Sequence, residues 1–494
     1  MQVYESFIKN NLLVLAGQLL VLAQSLIMVP IVIKTVGVEI YGGYVLLITL
    51  VGFICGISTF GVGFRCSRFL PSVHNFKDRT ALFYPQFNFQ FLTIIFLAVF
   101  IIYFYPLLDK LFLKGDVVFC PWLVLPYFIF YFVYWQAGNY FRYTHRIGLY
   151  NFATVSFAVL NIAIIFLYYA CRIHLTVNIL FSIQIGSSFL VALPLMLLMA
   201  KEIGFRATLP NITNLINDIK LGFPLVLSYI VDVILSSSDR YLLTAFLSVA
   251  AVGFYNPGYA LGSLLVLLPK ICGVVLPPFL SQAVDSGNES DARTMFDYTV
   301  KGFLLIAIPF CAGCALLGKP LLALLANAEV AQNGSLVAFI VALGTVFYGL
   351  EFIIGNLLFV QMRTAAILNI NVMAALLNLL LNLVLLYYFR NILVAALTTF
   401  FSYLVAFIFI YRVAARFWPI DFGWKIILKS VGASLLMALA LYGISAHLGV
   451  YSYKAGYLFG EIALGIIIYC LGLFGLKTFS SKELVYLKKA LSLS

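Results

Sequence analysis

Residues 231–247 read VDVILSSSDRYLLTAFL, an apolar run of helical length that carries Asp232, Asp239 and Arg240 inside it. A charge at the middle of a membrane helix costs about 2.5–3.5 kcal/mol on insertion scales, so three such groups must face protein or a water-filled cavity. Ser228, Asp232, Ser236 and Asp239 follow one another at spacings of four, four and three residues. On a helix that spacing makes one polar stripe, with Arg240 at its edge. Whether the segment is a membrane span or a soluble core helix is decided by what surrounds it.

The surroundings are apolar almost throughout. Of 494 residues, 64% are hydrophobic and 10% charged, whereas soluble domains are about 25% charged. Runs of about 20 mostly apolar residues, long enough for a hydrocarbon core, begin near residues 11, 41, 87, 117, 150, 175, 221, 254, 300, 334, 365, 391, 425 and 454. They are too long and too uniformly apolar for barrel strands, which alternate their faces. The expectation is an all-α integral membrane protein of about fourteen transmembrane helices. The first run extends well past the length of a signal h-region and is expected to be a retained span.

The net charge of +12 comes from basic residues dispersed through short loops, so a nucleic-acid-binding face is not expected. If the N-terminus is inside, 21 of the 30 Lys and Arg residues fall in inner segments and seven in outer loops. By the positive-inside rule both termini are expected to face the cytoplasm, and an even number of spans agrees by putting them on the same side. No loop is long enough for a soluble domain. The tail SSKELVYLKKALSLS has capping-box spacing at Ser480 and Glu483 and an apolar face at Leu484, Leu487 and Leu491, consistent with either an interfacial helix or a solvated tail.

The chain also repeats. NYFRYTHRIGLYNFATVSFAVLN from Asn139 aligns with NLLFVQMRTAAILNINVMAALLN from Asn356, so that Asn139, Arg146 and Asn161 fall on Asn356, Arg363 and Asn378 at a constant offset of 217. GVEIYGGYVLL at 37–47 resembles VGFYNPGYALGSLL at 252–265, with Tyr41 on Tyr255 at an offset of 214. Six spans per copy, an even number, make the two bundles parallel. The expected boundaries are a six-helix bundle over 1–200, a cytoplasmic linker over 201–220, the second bundle over 221–416, two further helices over 417–477 and a cytoplasmic tail over 478–494. At the offset of 214, Asp232 and Asp239 fall on Gln18 and Ser25, and the paired stripes point to one central cavity.

Other polar groups inside spans are Lys270, Glu351, and Asn371, Asn378 and Asn382 along one helix. Arg240 and Lys270 are the candidates to attract an anion. Asn378, Asn382 and Ser236 are candidates for a polar head group, and the asparagines serve equally well as interhelical hydrogen bonds. Asp232, Asp239 and Glu351 are candidates for ion coupling or for structural pairing. Pro224, Pro257, Pro269, Pro277, Pro278 and Pro309 interrupt spans of the second half, where broken helices give hinges. Cys311 and Cys314 have redox spacing but lie in IPFCAGCALL, an apolar span, and read as packing. No phosphate-binding loop, H-E-x-x-H or G-x-S-x-G motif occurs, and His74, His145, His174 and His447 are far apart. Neither an enzyme, a metal site nor a cofactor is expected.

SSSDRYLLTAFLSVAAVGFYNPGYALGSLL at 236–265, KTVGVEIYGGYVLL at 34–47 and QMRTAAILNINVMAALLNLLLNLVLL at 361–386 resemble the Wzx-type O-antigen flippases, polysaccharide exporters of the multidrug and oligosaccharidyl-lipid exporter superfamily. The resemblance covers nearly the whole chain. It implies two parallel six-helix bundles around a central cavity plus two C-terminal helices, in the bacterial inner membrane. The implied activity is movement of an undecaprenyl-diphosphate-linked sugar repeat to the periplasmic leaflet, with the lipid bilayer and polysaccharide polymerase machinery as partners. Arg240 and Lys270 would then meet the diphosphate. The alternatives are a flippase for a capsule, enterobacterial common antigen or peptidoglycan precursor, a cation-coupled multidrug antiporter, and a membrane polymerase or ligase. The last resembles chains with a long periplasmic loop, which is missing here.

Overall fold

In the computed structural model, residues 17, 20, 21, 24, 27–73, 75–285, 289–447 and 455–478 are described. Their regular structure is helical. The helices are α1 (Ile27–Val36), α2 (Val38–Ser58), α3 (Gly63–Phe69), α4 (Phe76–Leu108), α5 (Val124–Tyr143), α6 (Ile147–Ala170), α7 (Val177–Ile203), α8 (Ile212–Phe246), α9 (Val249–Gly262), α10 (Leu267–Asp285), α11 (Glu289–Leu325), α12 (Ala328–Val360), α13 (Thr364–Phe389), α14 (Ile392–Ala414), α15 (Trp424–His447) and α16 (Ala455–Gly475). Among the described residues twelve helical segments are long and apolar enough to cross a membrane, which agrees with an all-α multi-pass protein of about fourteen spans. The run expected near 117 is α5, whose tyrosines and amides keep its hydropathy below that of the twelve. The expected first span is described only in part, and Gln18, Ser25 and the tail beyond residue 478 lie outside the described residues.

Helix starts follow capping chemistry. Asn75, Thr176, Asn211 and Asn327 each accept a backbone N–H of the first turn of α4, α7, α8 and α12, which satisfies donors that a helix leaves open. Between α9 and α10 the helix tightens into a 3-10 turn at Ser263–Val266, in the proline-rich region where the sequence predicts a break.

Packing divides the chain into two units, residues 1–256 with 379–391 and residues 257–378 with 392–494. In the first, α5 packs against α4, α6 and α7 around an aromatic core where Phe83 meets Tyr140 and Phe87 meets Phe132. Helices α2 and α9 cross at a point where Gly42 lies against the Val249 carbonyl and Gly253 against the Val38 carbonyl. Each glycine therefore seats the other helix's backbone, and a Cβ on either would collide with it. In the second unit α12 is flanked by α10, α11 and α14. Helices α15 and α16 pack on α11, burying Leu317 with Met437, Leu441 and Leu473.

The repeated sequence folds into repeated corners. Helices α5 and α12 end 217 residues apart, and α6 and α13 begin 217 residues apart. At the first corner His145 takes φ +62° and Arg146 N–H donates to the Phe141 carbonyl at 2.8 Å; at the second Met362 takes φ +56° and Arg363 N–H donates to the Leu358 carbonyl at 2.8 Å. Both are Schellman closures, in which a left-handed residue turns the chain out of its helix. The arginines differ in their partners. Arg146 donates to the Glu202 carboxylate, while Arg363 lies over the Phe417 ring at 4.9 Å.

Candidate functional site

The stripe of α8 divides into an exposed and a buried part. Ser228 and Asp232 are exposed, Ser236 is half-buried, and Asp239 and Arg240 are buried at 2% and 9% exposure. Asp239 accepts the Arg240 backbone N–H at 2.9 Å and the Tyr255 hydroxyl. The Arg240 guanidinium lies 3.5 Å from Asp239 Oδ1, donates from Nε to Asn256 Oδ1 at 3.0 Å and from Nη1 to the Ser236 carbonyl at 2.7 Å. Asn256 Nδ2 in turn donates to the Tyr41 hydroxyl at 2.8 Å. A buried charge is tolerable when paired and hydrogen-bonded in this way. The two tyrosines that the repeat aligns, Tyr41 and Tyr255, thus serve one network from opposite ends.

Of the remaining residues singled out by sequence, Lys270, Glu351 and Asn378 belong to the second unit and Asn382 to the first. Lys270 is exposed on α10, in the other unit, and Glu351 is buried in α12. Asn378 and Asn382 are fully buried, and Asn378 Nδ2 donates to Thr399 Oγ1 of α14 at 3.3 Å. Among the described residues no cluster of metal-ligating side chains occurs.

A cleft of about 290 Å³ opens within the first unit, between the α2–α3 turn, α4, α5 and the middle of α8. One wall is a seam of backbone contacts. Gly61, at φ +74°, lies directly on Gly222, a left-handed position that glycine adopts without strain. Tyr229 Oη donates to the Gly52 carbonyl at 2.9 Å two turns further along α8. Beside this seam Arg65 reaches the buried Asp218 at 3.4 Å, and Gln86 Nε2 reaches the same carboxylate at 3.5 Å.

The opposite wall is α4 and α5, where Gln136 Nε2 donates to Gln90 Oε1. That bond leaves the Gln136 carbonyl oxygen and the Gln90 amide hydrogens for a ligand. Asn139, one helical turn along α5, is 5% exposed and makes no hydrogen bond with the described residues. Thr59, Phe64, Ser67, Trp135, Tyr143 and Tyr229 complete the polar and aromatic lining, and none of the lining side chains is charged. The sequence signal for this site is the run YWQAGNY at 134–140, which puts two amides at i, i+3 on one face of an aromatic span. A reading led by charge passes over it, because amides cost too little in a membrane helix to stand out.

Two family models match the sequence: one described as polysaccharide biosynthesis protein over residues 7–284, and MatE over residues 224–384. No curated protein matches. Among solved structures, a lipid II flippase MurJ in an inward closed conformation is 17% identical with a TM-score of 0.72, covering 94% of this chain and 98% of that one. An inward-facing multidrug resistance MATE family transporter of the MOP superfamily is 14% identical with a TM-score of 0.63, covering 80% of this chain and 94% of that one. The MATE multidrug transporter DinF-BH is 17% identical with a TM-score of 0.57, over 84% of this chain and 95% of that one. The fold is the one these transporters share.

Proposed function

The chain belongs to the polysaccharide biosynthesis protein family, and from that membership we propose that it is a transporter, not an enzyme: a flippase that carries undecaprenyl-diphosphate-linked O-antigen repeat units from the cytoplasmic to the periplasmic leaflet of a bacterial inner membrane. The observation that carries this reading is the family match over residues 7–284 on a multi-pass fold held in common with a lipid II flippase over 94% of the chain. Such a cargo keeps its polyprenyl tail in the bilayer and needs protein only for its head group, which alternating access moves across. Both termini are cytoplasmic in this reading, because the inner segments then hold most of the Lys and Arg residues. The parallel bundles 1–200 and 221–416 are its moving parts, and polysaccharide polymerase machinery receives the product.

Within this reading Lys270, which is exposed, and Arg240 are each candidates to meet the diphosphate. Arg240 can do so only by exchanging the Ser236 carbonyl and Asn256 for phosphate oxygens, and the pairing geometry supports a structural role for Asp239. The complete burial of Asn378 and Asn382 supports interhelical bonding over sugar contact. Asp232 and Glu351 are the coupling candidates. In a deletion strain lacking a second exporter, surface polysaccharide is expected to be lost on gels and the lipid-linked repeat to accumulate in the inner leaflet, with both restored by the intact gene. Normal polysaccharide in that strain would overturn the reading. The MatE match supports a shared transport cycle; a drug antiporter would instead leave the polysaccharide intact and lower drug resistance in the same strain.

A further inference from the structure

We propose that the cleft in the first unit is a binding subsite for an uncharged sugar, formed by Gln90, Gln136 and Asn139 with Trp135 and Tyr143 as its ring surfaces. This rests on the flippase reading for the identity of the carrier lipid, but its chemistry stands on the cleft alone. The cleft's free volume of about 290 Å³ is near the lower end of the range of small-molecule sites, roughly 300–1,000 Å³, room for a sugar ring or two and not for a larger head group.

Its polar groups are of the kind that bind hydroxyls. Each amide offers a donor pair and an acceptor, and neighbouring sugar hydroxyls present both in return. Asn139 carries the strongest argument. Asn139 is 5% exposed, lines the cleft and makes no hydrogen bond to the described residues, and neither amide atom is sealed from the cleft, so both are presented to whatever occupies it. A ligand that supplies hydroxyls meets that amide's donors and acceptor directly. Trp135, 38% exposed, and Tyr143 add apolar faces on which the C–H face of a pyranose can lie.

The lining also selects by what it omits. With no carboxylate in it, the cleft has nothing to neutralise a cationic drug, and with no Lys or Arg it has nothing to neutralise a diphosphate. The cations lie beside it in the chain instead. Arg142, next to Tyr143, holds its guanidinium 5.7 Å from that ring, whereas Arg65, which follows Phe64 of the lining, is already paired with Asp218. A lipid-linked glycan laid in this way would put its neutral sugar among the amides and its charged linkage toward Arg142.

The test uses the full chain in nanodiscs free of glycoside detergents, titrated by calorimetry with undecaprenyl diphosphate bearing a neutral disaccharide, with undecaprenyl diphosphate alone, and with the free disaccharide. The glycosylated lipid is expected to bind about tenfold tighter than the bare one, the scale of one or two net hydrogen bonds. Asn139→Ala and Trp135→Leu should each remove that preference while leaving the bare lipid's affinity unchanged, and Asn139→Gln should restore part of it. Trp135 is half-exposed, so its variant reads the subsite even if Asn139→Ala misfolds. Equal losses for both lipids, or a preference that survives in both variants, would overturn the subsite. Translocation in proteoliposomes separates the two readings. Wild-type protein that moves the lipid while the variants keep the preference leaves a flippase without this subsite. Disaccharide binding that Asn139→Ala abolishes, in a protein that moves no lipid, leaves the subsite without the flippase.

Discussion

At the α5–α6 corner Arg146 faces the Glu202 carboxylate, whereas at the α12–α13 corner, 217 residues later, Arg363 lies over the ring of Phe417. The backbone is the same at both: a left-handed residue, then an N–H returned to the carbonyl five residues back. The side-chain chemistry is not. The turn is therefore specified by local capping, and the arginine accepts whichever partner the chain near the next helix's end supplies. In the first copy that partner is on α7 itself. In the second it is on the segment after α14, which Asp421 pins to α11 through Lys301 Nζ at 2.7 Å.

The sharpest way to break the likeness is to remove the two partners in turn. Glu202→Ala deprives Arg146 of its carboxylate and also strands the hydroxyl of fully buried Tyr140, which donates to Glu202 Oε2 at 3.1 Å. The expected loss is about 2 kcal/mol, read as a lower unfolding temperature in nanodiscs. Phe417→Leu should cost only about 0.5–1 kcal/mol. Raising the salt should shrink the first loss and leave the second nearly unchanged, since screening acts on the exposed ion pair. Equal losses would mean that the partners are interchangeable in energy as well as in place.

Substituting the left-handed residues tests the shared half of the comparison. His145→Gly and Met362→Gly each relieve an L-residue held at positive φ, and each is expected to stabilise by about 0.5–1 kcal/mol after the larger unfolded-state entropy of glycine is subtracted. Opposite signs at the two corners would show that the closures are alike only in outline.

The smallest effect concerns the pin on the second corner. The hydrogen bond from Lys301, and after it the Gly423 N–H, hold the Asp421 carboxyl below its ordinary value of 3.8. A carboxyl lowered in the folded state stabilises above its unfolded value, and loses that contribution as pH falls through the lowered one. The stability difference between wild type and Asp421→Asn should thus be flat above about pH 5 and shrink below about pH 4. It should be small, because Asp421 is 62% exposed.

How much of this was legible in the sequence depends on the kind of interaction. Spans are set by length and apolarity, so α6 to α16 fall close to the predicted runs, and the offset of 217 reappears as matched corners. The stripe on α8 was legible as a polar face but not as a divided one. Neighbours such as Asp239 and Arg240 point apart on a bare helix, and they meet only because Tyr255 and Asn256 dock beside them. The cleft was harder still. Its amides and rings come from α4, α5, α8 and the α2–α3 turn, segments far apart in the chain, and no charge marks them.

The crossing of α2 and α9 carries a consequence for anyone who builds chimaeras from this chain. Gly42 and Gly253 are two parts of one lock, each receiving the other helix's backbone. A junction placed in the 204–211 connection, the obvious seam between the repeats, would separate them and pair each with a stranger's residue. Exchanging either half alone then asks an unmatched surface to fit where a hydrogen atom was the only tolerable side chain, so grafts should carry 38–42 and 249–253 together.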